Sequence, residues 1–183
     1  MLASFRAAML RRSLRKLLAS QQRRRKIHTL KSARSIGILF DATSETNRKE
    51  LLQFAAALEK SGKKIRLLGF INGQNPPEQS LFPQFTQKDR RWTGIPNSEA
   101  LSAFVADSFD VLLCLNPEQV LLLDWAAAAA QAAMKIGTFT EHPNDFDMLL
   151  ETPAEKGIRF FIDQLDLYLN KIVPSNYESA AAL

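Results

Sequence analysis

Leu2, Phe5, Met9, Leu10, Leu14, Leu17 and Leu18 recur at steps of three and four residues, with no Gly or Pro among them. That spacing predicts one amphipathic helix, with Arg11, Arg12, Arg15 and Lys16 on or near its opposite face. A helix of this length is marginal alone in water, so it is expected to lie on a surface. From Ser35 the pattern changes. Ile36 to Phe40 is a continuous apolar run closed by Asp41, as in a strand buried on both faces. Ser44 is placed to cap a following helix whose apolar face is Leu51, Phe54, Ala55 and Leu58, and Gly62 sits at its C-terminal stop. Ile65 to Phe70 is a second strand, which completes a right-handed βαβ unit.

Asn72-Gly73 and Pro76-Pro77 then punctuate a loop, with a short strand over 81–86 and a second loop, Lys88 to Pro96, that carries Trp92. A helix over Ser98 to Ala106, capped by Asn97 or Ser98, leads to a strand at Asp110 to Leu115. Asp124 is read as the cap of an alanine-rich helix from Trp125 to Met134, and Lys135–Phe139 and Phe146–Leu150 as two further strands. Thr152-Pro153-Ala154-Glu155 has the form of a capping box, and Ile158, Phe161, Ile162, Leu165, Leu169 and Ile172 continue one apolar face behind it. Pro174 is expected to end this helix and 174–183 to be a frayed tail. Strands alternating with helices give an α/β fold, doubly wound and Rossmann-like, with a mostly parallel sheet of five or six strands. The expected division is a basic helical arm at 1–34, one domain at 35–173 and the tail.

Charge sharpens this picture. The net +5 of the 183 residues conceals two segments of opposite sign. Residues 1–34 hold eleven bases and no acid; the remaining thirteen of the 24 bases meet all 19 acids, so the rest is net −6. A single cysteine, Cys114 in an apolar run, excludes an intrachain disulfide and reads as a small core hydrophobe. With only two histidines, no metal or cofactor site is expected, and no apolar stretch is long enough for a membrane span.

Ligands of open parallel sheets bind beyond the carboxyl ends of the strands. Asp41, Thr43, Ser44, Asn72 and Asn116 fall there, and Trp92 is placed to stack on a ligand or cover it. These six are the candidate pocket. Ser44 as a plain helix cap and Asp41 as a turn support are the simpler readings, because neither a glycine-rich turn nor a P-loop lysine accompanies them. A phosphotransferase aspartate pair is excluded by Thr43, and no nucleophile elbow exists. His142 beside Pro143 reads as a solvated loop residue, since no carboxylate stands at a recognisable spacing from it. No catalytic residue is assigned.

The basic segment admits four readings. Arg11, Arg12, Arg15, Lys16, Arg23, Arg24, Arg25 and Lys26 would neutralise phosphates of RNA or a ribonucleoprotein such as the ribosome. Alternatively, the leucines enter an anionic membrane surface, or the segment is a mitochondrial transit peptide. In the fourth reading the leucines pack on the protein's own domain and the bases are solvated.

Ile36-Gly37-Ile38-Leu39-Phe40-Asp41-Ala42-Thr43, then Phe85 to Asp89 with Trp92, Gly94 and Pro96, then Phe109-Asp110-Val111-Leu112-Leu113 and Phe146 to Leu150 follow one another in a recognisable order. Together they resemble a family of short α/β proteins of unknown function from Bacteroidetes, over roughly residues 23–172. The resemblance implies a bacterial, cytoplasmic protein and supplies no activity. At fold level, Phe109 to Phe139 is similar to the acceptor half of heptosyltransferases, which bind the sugar nucleotide mainly in a second domain. Two expectations follow. One is a non-catalytic RNA- or ribonucleoprotein-binding protein acting through its basic segment; the other is a small-molecule or sugar-nucleotide enzyme using the strand-end residues.

Overall fold

The runs that read as doubly buried strands become the centre of the sheet. β1 (Ser35–Asp41) pairs with β2 (Lys64–Ile71) on one side and β4 (Ser108–Leu115) on the other. β3 (Gln84–Thr86) extends the sheet beyond β2, and β5 (Gln131–Thr138) and β6 (Met148–Leu150) extend it beyond β4. The order is β3-β2-β1-β4-β5-β6, and every pairing is parallel. The computed structural model describes residues 2–73 and 80–172. Pro76-Pro77, Pro174 and the tail 174–183 lie outside the described residues.

Alternate residues of the strands feed two cores. Ile36, Ile38, Phe40, Val111, Leu113 and Leu115 face α2 (Glu45–Lys60) and α5 (Gly157–Ile172), where Leu51, Phe161 and Leu165 are fully enclosed. Leu39, Leu68, Phe70, Leu112 and Cys114 face α3 (Glu99–Ala106) and α4 (Leu121–Ala129). The N-terminal helix, α1 (Leu2–Ser20), lies over α4 on this second face. Leu10 belongs to the same buried core, and Leu14, one turn on, has no solvent exposure at all. Trp125 of α4 donates its indole N–H to Ser13 Oγ at 3.0 Å, and Gln21 donates to the Ala128 carbonyl. The middle of the leucine stripe is therefore buried by the chain itself, while Phe5 at its start stays exposed and Leu17 and Leu18 half-buried.

The segment behind α1 is fastened by charge. Arg23, one of the eight residues assigned to nucleic-acid contact, is buried to 4% exposure of its side chain. Its Nε meets Asp145 Oδ2 at 3.2 Å and its Nη1 meets Asp147 Oδ2 at 2.8 Å, while the carbonyls of Ala132, Ala133 and Asp145 accept from its guanidinium. Lys135, fully buried on β5, meets Asp145 at 2.9 Å and donates to the Ala127 carbonyl. Burial pulls the Lys135 pKa down, and Asp145 opposes that shift. The arginine triplet thus divides: Arg23 is a structural ion out of reach of a polyanion, whereas Arg24, Arg25 and Lys26 are exposed.

Three local expectations are corrected. The alanine-rich helix begins at Leu121 behind the N-cap Val120 and stops at Ala129, and Gln131 to Met134 are strand. Pairing with β4 from Ser108 onward claims those residues and overrides the helix preference of the alanines. Asp124 is no cap; its carboxylate is turned into a network of side chains described below. The Thr152–Glu155 box opens a 3-10 turn over Ala154–Lys156, and α5 starts only at Gly157, whose φ of 65° breaks the helix between them. Ser44, Ser98 and Gly62 perform their expected roles, with Ser44 Oγ accepting from Asn47 N–H and Ser98 Oγ from Leu101 N–H.

Leu14→Ala removes a fully enclosed side chain from the buried face of α1. It is expected to lower the stability of the whole domain by about 2–5 kcal/mol in a single urea transition. A separately melting α1 would instead show an unchanged main transition.

Candidate functional site

The strand order places the reversal point of the fold between β1 and β4. In such sheets the crevice at the carboxyl ends of those strands is the ligand site. Asp41 closes β1 there and is buried; its Oδ1 accepts from Thr43 N–H at 2.9 Å. Thr43 Oγ1 accepts from Asn72 N–H at 2.9 Å, which ties the end of β2 to the end of β1. Ser44 caps α2, and Arg48 donates to the carbonyls of Ala42 and Thr43. Asp41, Thr43, Ser44 and Asn72 are therefore brought together, but each of the described contacts knits the turn to itself. Trp92 is elsewhere. It stacks on Phe5 of α1, with ring centroids 6.4 Å apart and planes within 12°.

Asn116, at the end of β4, organises a different cluster. Its side-chain oxygen accepts from Val120 N–H at 2.7 Å, and its amide donates to the Val120 carbonyl and to Asp124 Oδ1, both at 3.0 Å. Thr138 Oγ1 accepts from the Asn116 N–H, which joins the ends of β4 and β5. Asp124 Oδ2 accepts from Thr140 Oγ1 at 3.0 Å and lies 2.6 Å from His142 Nδ1. The carboxylate has 2% exposure and the histidine side chain 21%. A carboxylate can only accept, so Nδ1 carries the proton and the Nε2 edge is left to act as base or donor. His142 N–H is also held by Thr140 Oγ1. A buried acid orienting a partly exposed imidazole is the arrangement of a general base.

The sequence reading missed this pair. Eighteen residues and all of β5 separate Asp124 from His142, so no local spacing could announce it. The available signal was Asp124 itself, an acid inside an otherwise apolar helix. Burial pushes the Cys114 thiol well above its ordinary pKa, with the Asp124 charge adding to the shift, so this cysteine is an inert core residue. Among the described residues no group of three or more His, Cys, Asp or Glu is placed to hold a metal ion, and no helix is long and apolar enough to cross a membrane.

The second candidate surface is the outer side of α1. Arg11, Arg12, Arg15 and Lys16 are exposed, and at 100° per residue they span an arc of about 140°. Among the described residues none of the four forms an ion pair. Arg24 and Lys26 on the following segment are likewise exposed and unpaired among the described residues, while Arg25 shares Asp147 at 3.2 Å. Four cations are thus fixed on one rigid helix by the burial of its opposite face.

The family model that matches residues 6–172 is that of a family of unknown function, DUF6913. The chain belongs to this family. The match begins inside α1, so the helix and the α/β domain fall within one family unit. No curated protein and no solved structure matches the chain.

Asp124→Ala strips the acceptor from Asn116, Thr140 and His142 at once and is expected to cost about 3 kcal/mol or more in urea unfolding. The same substitution is expected to release the imidazole. Nitrogen NMR would find the neutral His142 ring protonated at Nδ1 in the native protein and predominantly at Nε2 in the variant.

Proposed function

We infer that the protein binds RNA, alone or within a ribonucleoprotein such as the ribosome, through the outward face of α1. The observation that carries this reading is the row of Arg11, Arg12, Arg15 and Lys16, unpaired among the described residues, on a helix whose Leu10 and Leu14 are already buried. A helix rigidly docked by one face loses no ordering entropy on binding at the other, so its cations are presented in advance. Arg24 and Lys26 extend the cationic surface along the chain, Arg25 contributes less because Asp147 shares its charge, and Arg23 takes no part. The setting we infer is the bacterial cytoplasm, on the strength of the family resemblance in the sequence.

The packing of α1 weakens the membrane reading. Lipid insertion would need Leu10 and Leu14, and withdrawing these buried side chains would open the core that holds Leu10. Deleting residues 1–34 removes core side chains and the Arg23 clamp, so exposed-face substitutions are the sound test. A second reading, small-molecule chemistry at the carboxyl edge of the sheet, is favoured by the His142–Asp124 pair. It does not depend on α1's outer face, and glycosyl transfer by a half-fold of the heptosyltransferase kind would in addition require a partner chain.

The full chain is expected to bind RNA with a log–log salt slope of about −3.5 to −4.5, as for roughly five phosphate contacts. Replacing Arg11, Arg12, Arg15 and Lys16 together by Gln should flatten that slope by about 3 while leaving the melting temperature unchanged, because exposed unpaired cations contribute little to stability. His142→Gln should bind RNA like the native protein. Equal RNA affinity for native and fourfold-substituted chains at matched salt would overturn the reading, and binding to anionic vesicles but not RNA would replace it with the membrane role.

A further inference from the structure

A cavity of about 420 Å³ opens beside the N-terminus of α4, walled by Ala3, Ala7, Leu10 and Val120 to Leu122. Its polar lining is Arg6, Arg90 and Gln87. Two like charges in one half-enclosed space repel, and burial together with Arg6 pulls the Arg90 pKa down. No carboxylate pairs with either arginine among the described residues. Each guanidinium is nonetheless held in place. Arg6 Nε donates to the Trp92 carbonyl at 3.3 Å, and Arg90 Nε donates to the Gln87 carbonyl at 2.8 Å. In both, the two terminal nitrogens have no acceptor among the described residues. A tethered fork with its outer donors free is the form in which arginine grips a phosphate.

The surroundings are built to keep the two forks together. The loop that carries Arg90 is closed by Thr86 N–H and Oγ1 donating to Asp89, by Arg91 N–H donating to Ile95 and by Asn97 N–H donating to the Asp89 carbonyl. Gly94, with φ 87°, lets that loop touch α1; a Cβ there would stand 2.8 Å from the Arg6 carbonyl oxygen. The Phe5–Trp92 stack seals the same contact. Opposite, the Asn116 side chain clamps Val120 through both its N–H and its carbonyl, and Gln119 holds a left-handed φ of 50° in the intervening turn. That is a conformation disfavoured for any residue with a side chain, kept here by its surroundings. The Asn116 side chain takes the Val120 N–H, and at the start of α4 the Leu121 and Leu122 amides are left free among the described residues.

We propose that the cavity between α1, the 87–96 loop and α4 is a binding site for a small phosphate monoester, gripped by Arg6 and Arg90 with its organic body against the apolar wall. The site is separate from the outer face of α1, and it gives the N-terminal turn of that helix a second role. Phosphate is chosen over a carboxylate because a monoester brings close to two negative charges to the two guanidinium groups, where a carboxylate brings one. The apolar wall of Ala3, Ala7, Leu10 and Leu121 favours an ester over the free ion.

The test is calorimetric titration of the full chain with phenyl phosphate and, separately, inorganic phosphate, in chloride buffer of matched ionic strength. Saturable one-to-one binding of both, tighter for phenyl phosphate, is expected. Arg90→Gln and Arg6→Gln should each weaken it by about tenfold or more, while Arg12→Gln leaves it unchanged. Arg90→Lys, which keeps the charge and loses the fork, should fall between native and Arg90→Gln and serves where the glutamine variant does not fold. Saturating phenyl phosphate should leave RNA affinity unaltered. Absence of saturable binding, equal binding by Arg90→Gln, or displacement of RNA by phenyl phosphate would each overturn the proposal, the last by assigning the arginines to the RNA surface.

Discussion

The docking of α1 on α4, with Leu10 in the shared core and Leu14 fully buried, is the contact on which the rest of the molecule's character depends. An acid-free basic helix in water has no fixed place, and its charge would act as a diffuse cloud. Docked through this face, it packs outside α4 on the α/β domain, and its described side chains acquire fixed places. The outer bases become a rigid cationic row, Ser13 becomes a partner for Trp125, and Arg6 becomes a wall of a cavity. Enclosing Leu10 and Leu14 contributes on the order of 1.5–3 kcal/mol each, enough to offset the weak intrinsic stability of a lone helix.

The second constraint is electrostatic and holds the chain between α1 and β1. Arg23, Lys135, Asp145 and Asp147 form one nearly dry group of two cations and two anions, with backbone carbonyls taking the remaining donors. Such a group adds little net stability over an apolar equivalent, but removing one member leaves the others uncompensated at a cost of about 3–5 kcal/mol. It therefore acts as a register pin, placing the 21–30 segment along β5 and α1 over α4. Lys26 N–H donating to the Ala133 carbonyl continues that attachment.

What was legible in the sequence follows the range of the interactions involved. Ile36 to Phe40 and Asp110 to Leu115 declare themselves as buried parallel strands because burial on both faces needs an unbroken apolar run. Ser44 and Ser98 are readable because a helix cap acts over three residues. The end of α4 was not, since alanines prefer a helix and only pairing with β4 overrides that preference. Nor could Arg23 be told from Arg24 or Arg25, because its acids lie 122 and more residues along the chain. Asp41, Thr43, Ser44 and Asn72 come together because strand ends meet. Their satisfaction by one another, and the pairing of Asp124 with His142, are properties of the folded packing alone.

The most direct measurement is native-state hydrogen exchange of the backbone amides from Leu10 to Leu18, compared with those of α4 and β4. If α1 is a structural layer, its amides exchange through the same cooperative opening as α4 and slow together with it as denaturant is withdrawn. Exchange of the α1 amides at the rate of an unstructured peptide, with α4 and β4 still protected, would contradict the account. The basic row would then have no fixed geometry, and the cavity beside α4 would lose one wall.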